Sequence, residues 1–137
     1  MLQRLENWPQ RLHELIETRR RQPFVWGEND CCIFALEHGV RAVTGVLLLP
    51  DVPRPRTAVA AGRFLLRRGY RDVFALATEL LGQPVPFPKK AGRGDVVGLE
   101  SPGVKALGIC LGTECATPGS QRLLFVPRSF VVRAWRL

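Results

Sequence analysis

Apolar residues change their spacing once along this chain, near Gly94, and that change restricts the fold more than any other feature. Before it, Leu12, Leu15 and Ile16, and later Val73, Phe74, Leu76, Ala77, Leu80 and Leu81, recur at helical intervals. After it, residues 95–99, 104–111, 123–126 and 130–135 are short apolar runs separated by Gly, Pro and Ser, the pattern of strands. Helices first and strands afterwards predict an α+β domain, with a buried helix packed on an antiparallel meander of four strands. A chain of 137 residues has room for one such domain over 1–137, its helical part at about 7–82 and its sheet part at about 94–137.

Local signals divide the helical part. Asn7 before Trp8-Pro9 predicts a helix start, since Asn caps well and Pro is tolerated in a first turn. Gln22-Pro23 ends that helix. Asp30 reads as the cap of a second, from Cys31 to about Val43, apolar on more than one side and therefore buried. Prolines 50, 53 and 55 make residues 46–56 an ordered loop. Thr57 then caps a third helix that runs through Arg68 to Gly69, and a fourth runs from about Arg71 to Leu81. Residues 83–93, again with three prolines, form a connector.

Composition bounds the partners. No apolar run approaches the ~20 residues of a crossing helix, so no membrane span is expected. The N-terminus has no apolar segment of signal-peptide length, which predicts a protein made and folded in a bacterial cytoplasm. The net charge is +8, but 17 of the 20 basic residues are Arg in an Ala- and Leu-rich background, a bias of GC-rich coding rather than of phosphate contacts. No nucleic-acid module accompanies it, and a basic nucleic-acid-binding module stays the third functional reading. Cys31, Cys32, Cys110 and Cys115 include no Cys-x-x-Cys; free, mostly buried thiols are expected, with no metal and no cofactor. Trp8, Trp26 and Trp135 are read as packing anchors, and Gly92-Arg93-Gly94 as a strand entry rather than a phosphate loop.

The stretch Pro23-Phe24-Val25-Trp26-Gly27-Glu28-Asn29-Asp30-Cys31 carries the strongest chemical signal. A cysteine just after a helix cap sits where the helix dipole and free N–H groups favour a thiolate. Gly-x-x-Asp-Cys-x-x-Phe, a later Gly94-Asp95-Val96-Val97 strand and the run Leu107 to Gly112 together resemble the NlpC-type branch of papain-fold cysteine peptidases. The closer resemblance is to a compact offshoot found in phages, prophages and gene transfer agents. It extends over Trp8, Arg11-Leu12, Pro23-Phe24, Trp26-Gly27, Asp30-Cys31, Ala106 to Gly112, Val126-Pro127 and Ala134-Trp135.

This resemblance implies a papain-like core with Cys31 as the family's nucleophile position. The family's general base is a His opening the strand His-Val-Gly-Ile, and Ala106 stands at that place. A further polar position, at 115–117, has no His either. His38 is about 10 Å along the helix axis from Cys31, and His13 is expected on an exposed side; nothing in the spacing selects Lys105 or an acid as a substitute. Cys31 is thus expected to be a relic, its pKa somewhat lowered by the helix start. The expected function is a structural component of a phage-type tail tip or baseplate, in contact with other tail-tip or hub proteins within a virion tail. The rival is an active cysteine peptidase cleaving peptidoglycan peptides during entry, with peptidoglycan as its partner.

Overall fold

The first helix, α1 (Trp8–Arg19), begins where the Asn-Trp-Pro signal predicts. Asn7 does occupy the capping position, but its side chain makes no capping bond. Pro9 supplies the preset φ of a first turn instead, and Leu12 and Ile16, one turn apart, form the buried stripe. In the computed structural model of the chain, residues 2–49 and 54–137 are described. Part of the loop expected at 46–56 therefore lies outside the described residues.

The second helix is not the uniform α-helix expected. After a first turn at Cys31–Ile33, a π-helical stretch spans Phe34–Gly39, and α-helical geometry follows in α2 (Val40–Thr44). The Val40 N–H reaches back five residues to the Ala35 carbonyl. The reason is a close approach to the sheet: a Cβ at Gly39 would overlap the Ile109 side chain. Gly39 and the widened turn let this central helix lie directly on a strand, with Phe34, Ala35, Leu36, Val40 and Val43 buried. Gly45, at φ +78°, ends the helix in the left-handed conformation that glycine adopts freely.

Helix α3 (Ala58–Arg67) is capped by Thr57, whose Oγ1 accepts from the Ala60 N–H. Helix α4 (Val73–Leu81) is capped by Asp72 through the Ala75 N–H, two residues later than the expected start. It buries Phe74, Leu76 and Ala77, whereas α3 has no fully buried residue.

The sheet has five antiparallel strands, one more than expected: β1 (Val96–Ser101), β2 (Val104–Cys110), β3 (Glu114–Pro118), β4 (Leu123–Pro127) and β5 (Val131–Trp135). Their order is β4-β3-β2-β1-β5, so the meander ends at β4 and β5 returns to the far edge beside β1. The overlooked strand β3 has no run of large apolar residues. It is a strand because β2 and β4 pair with both its edges. One sheet face, with Val96, Leu107, Ile109, Ala116 and Trp135, packs on the helices. The other, with Val97, Leu99, Cys110, Cys115 and Val131, forms a smaller cluster under Ala91 and Val85.

An ion pair closes the domain. Asp95, buried at the entry to β1, accepts from Arg4 Nη2 at 2.8 Å and from the Gly92 and Leu137 N–H groups. The same guanidinium donates to the Arg93 and Leu137 carbonyls and lies 4.2 Å over the Trp8 ring. One arginine thus joins the N-terminal segment, the first strand and the last residue. Removing it leaves the buried carboxylate with only the Gly92 and Leu137 N–H groups, and breaking a buried pair typically costs about 3–5 kcal/mol. Arg4→Ala is therefore expected to lower unfolding stability by about 3 kcal/mol in urea titrations. A change below about 0.5 kcal/mol, the range of an ordinary surface substitution, would contradict the clamp.

Candidate functional site

Residues 23–30 fold into a tight loop because Val25 and Asn29 exchange both backbone hydrogen bonds, at 2.8 and 3.1 Å. Gly27, at φ +83°, takes the turn, and the Arg54–Pro55 backbone packs where any side chain at Gly27 would lie. The loop delivers Asp30, buried, to the helix start. Its Oδ1 accepts from the Cys32 and Ile33 N–H groups at 2.9 and 2.8 Å, and its Oδ2 from Gly27 N–H at 2.8 Å. Asp30 is the cap that the sequence predicts.

Cys31 follows in the first turn, half-buried. Its carbonyl accepts the Leu107 N–H at 2.9 Å, which fixes the helix start against the middle strand β2. The expected neighbourhood of Cys31 and the Ala106 segment is therefore present in the backbone. The side chains diverge. Successive residues of a strand alternate between faces; Leu107 and Ile109 point into the helix-side core, while Ala106 lines a shallow groove on the opposite face with Leu99, Thr117, Val126 and Phe130. Position 106 looks away from the helix that carries Cys31. Thr117, in the region expected to hold a second polar group, donates its hydroxyl to the Leu107 carbonyl.

Neither histidine meets Cys31. His13 is exposed on α1, as expected. His38 Nε2 donates to the Glu28 carbonyl at 3.0 Å, and Nδ1 faces an Arg19 guanidinium nitrogen at 3.4 Å. Burial, above all, lowers the His38 pKa, so the folded chain holds a neutral ring that pins the entry loop to the central helix. Since the unfolded chain binds that proton more readily, this contribution to stability is present above the ordinary histidine range and fades as pH falls through it. Lys105 is engaged with Asp72 at 3.0 Å, above α4.

The electrostatics of Cys31 overturn the expected lowering of its pKa. Burial, and then the adjacent Asp30 charge, push the thiol up to about 11. Asp30 takes the Cys32 and Ile33 N–H groups, and the Cys31 N–H, which favours the thiolate, does not offset burial and the Asp30 charge. Cys32 is raised as well, by burial first and then by Asp30. Both line an apolar cavity of about 110 Å³ whose other walls include Trp26, Phe64, Leu65 and Tyr70. Phe24 braces Trp26 edge-on at 4.7 Å. The loop before α3 is held over this region by Arg54, which forks onto both carboxylate oxygens of buried Glu37 and also donates to the Leu49 carbonyl. That clamp has no local sequence signal: Glu37 and Arg54 are 17 residues apart.

This arrangement can seat a neutral thiol beside a small apolar cavity. It has no imidazole to take the thiol proton, and among the described residues no cluster of three or more His, Cys, Asp or Glu side chains is placed to hold a metal. Two variants probe it. Asp30→Asn removes the second-largest cause of the raised pKa but not burial, so Cys31 alkylation should accelerate modestly at pH 9 and stay slow at pH 7. Ala106→His, facing the other side of the sheet, should leave the Cys31 alkylation rate unchanged at every pH. Acceleration of tenfold or more at pH 7 in the histidine variant would contradict the strand register.

A family model described as "Domain of unknown function (DUF6950)" matches residues 3–137, and the chain belongs to that family. No curated protein and no solved structure matches it.

Proposed function

We propose that this DUF6950 chain is a structural component of a phage-type tail tip or baseplate, built on a papain-like, NlpC-type scaffold whose nucleophile position no longer reacts. The tail role rests on the sequence resemblance, and the observation that supports a non-reacting scaffold is the state of Cys31. It stands at a capped helix start, hydrogen-bonded through its carbonyl to the middle strand. Yet its thiol is held protonated, and Ala106, where the resembling family carries its base, has no imidazole. A positioned general base contributes about two to four orders of magnitude in rate, and cysteine attack needs the imidazole within hydrogen-bond reach of sulfur. A scaffold stripped of that partner keeps its packing and its surfaces.

On this reading the chain is made in a bacterial cytoplasm and taken up into a tail by hub or tip proteins. The net charge of +8 then serves contacts with acidic partner surfaces rather than nucleic acid. Cys31 contributes a small side chain on the wall of the apolar cavity, while its carbonyl holds the helix start to the sheet. Cys31→Ala should leave tail assembly and infectivity within about twofold of the parent. Cys31→Arg should disrupt the fold, because it buries an unpaired charge. The rival reading, a peptidoglycan-cleaving enzyme, predicts that purified protein releases peptides from peptidoglycan and that Cys31→Ala abolishes the release. That result would overturn the proposal, as would intact tails from which this chain is absent.

A further inference from the structure

Away from Cys31, on the opposite face of the sheet, Cys110 and Cys115 are directly paired across the β2–β3 hairpin. Cys110 sends its N–H to the Asp95 carbonyl at 2.9 Å and receives the Gly94 N–H at 2.8 Å, both toward the β1 side. The Leu111 N–H bonds instead to the Glu114 carbonyl, one step nearer the turn. Cys110 and Cys115 therefore form a non-hydrogen-bonded cross-strand pair, the closer kind, with Cα atoms about 4.5 Å apart. That spacing falls within the range of roughly 4.4–6.8 Å that a disulfide spans. Both side chains lie in the same buried cluster.

The surroundings differentiate the two sulfurs. Cys110 Sγ lies 3.2 Å from Arg128 Nη1 and 3.4 Å from the Gly112 N–H. Arg128 is itself fixed by donating to the Gly112 and Lys89 carbonyls, each at 2.7 Å. Contact with Cys115, then the Gly112 N–H and the Arg128 charge, bring the Cys110 thiol down to about 6 against burial and the Asp95 charge. Cys115 moves the opposite way, through its contact with Cys110 and then burial, and Cys110 Sγ also lies 3.7 Å from the Ala91 carbonyl. Donors and positive charge converge on the Cys110 sulfur, with Cys115 beside it.

We propose that Cys110 and Cys115 are a modification site at which a hydroperoxide generates an intramolecular disulfide across the hairpin. The Cys110 thiolate attacks one peroxide oxygen, so an S–O bond forms and the O–O bond breaks; the departing hydroxide takes a proton from solvent. Cys115 sulfur then attacks the sulfenic sulfur of Cys110, forming S–S, and the hydroxyl leaves as water with the Cys115 proton. Two thiols lose two electrons and two protons, and hydrogen peroxide is reduced to two waters. Because both sulfurs are buried, the reagent must be small, about the size of water. The inference is independent of the tail-component reading, since it uses neither Cys31 nor any partner.

The experiment is intact-mass spectrometry of the purified full chain during exposure to hydrogen peroxide at pH 7, followed by peptide mapping without reduction. The expected product is 2 Da lighter and carries a Cys110–Cys115 cross-link that dithiothreitol reverses. Arg128→Gln should slow its formation about tenfold, with the circular dichroism spectrum unchanged. Cys115→Ala should form no cross-link and instead give a 16 Da adduct on Cys110. That adduct should form more slowly than the parent loses 2 Da, because the contact that most lowers the Cys110 pKa is gone. No loss of 2 Da in the parent protein, or first oxidation at Cys31 or Cys32, would overturn the assignment without recourse to any variant.

Discussion

The carboxylate of Asp30 is the interaction on which both the architecture and the chemistry of this chain depend. It collects three backbone N–H groups, one from the entry loop and two from the first turn of the central helix. A cap of this kind is worth about 1 kcal/mol by itself, but its geometric consequence is larger. It fixes the direction in which the helix leaves the loop, and so sets the Cys31 carbonyl on the Leu107 N–H of the middle strand. The π-helical stretch and Gly39 then let the helix descend onto Ile109. The same carboxylate takes the Cys32 and Ile33 N–H groups and adds a negative charge beside the sulfur.

A helix-start position therefore does not by itself activate a cysteine. What matters is whether donors and positive charge converge on the sulfur or on a neighbour. At Cys31 they converge on Asp30, and burial sets the outcome. Cys110 makes the opposite case: it sits in a strand, with no helix near its sulfur in the role of a dipole, yet a fixed guanidinium and an N–H point at it. The two thiol environments differ because of local hydrogen-bond allocation, not because of secondary structure.

Features written in a few consecutive residues were legible without coordinates. The Asp30 and Thr57 caps, the proline in the first turn of α1 and the change of period at Gly94 all depend on near neighbours. What depends on distant residues was not. Strand β3 reads Glu-Cys-Ala-Thr-Pro and is made a strand by pairing on both sides. The return of β5 to β1 is a tertiary choice, and so are the Arg4–Asp95 and Arg54–Glu37 clamps. The candidate site divides in the same way. Cys31 and its cap were visible, and the absence of a histidine at 106 was visible too. That position 106 faces away from Cys31 follows only from the register of β2 against β1 and β3.

The central claim is that Cys31 is a protonated, inert thiol under physiological conditions. Selective carbon-13 labelling of cysteine Cβ, with the Cys31 resonance assigned from Cys31→Ala, measures its ionisation directly. The account predicts a shift that is flat from pH 5 to pH 9 and a midpoint of about 11. A midpoint near or below pH 8 would show an activated thiolate and would contradict it.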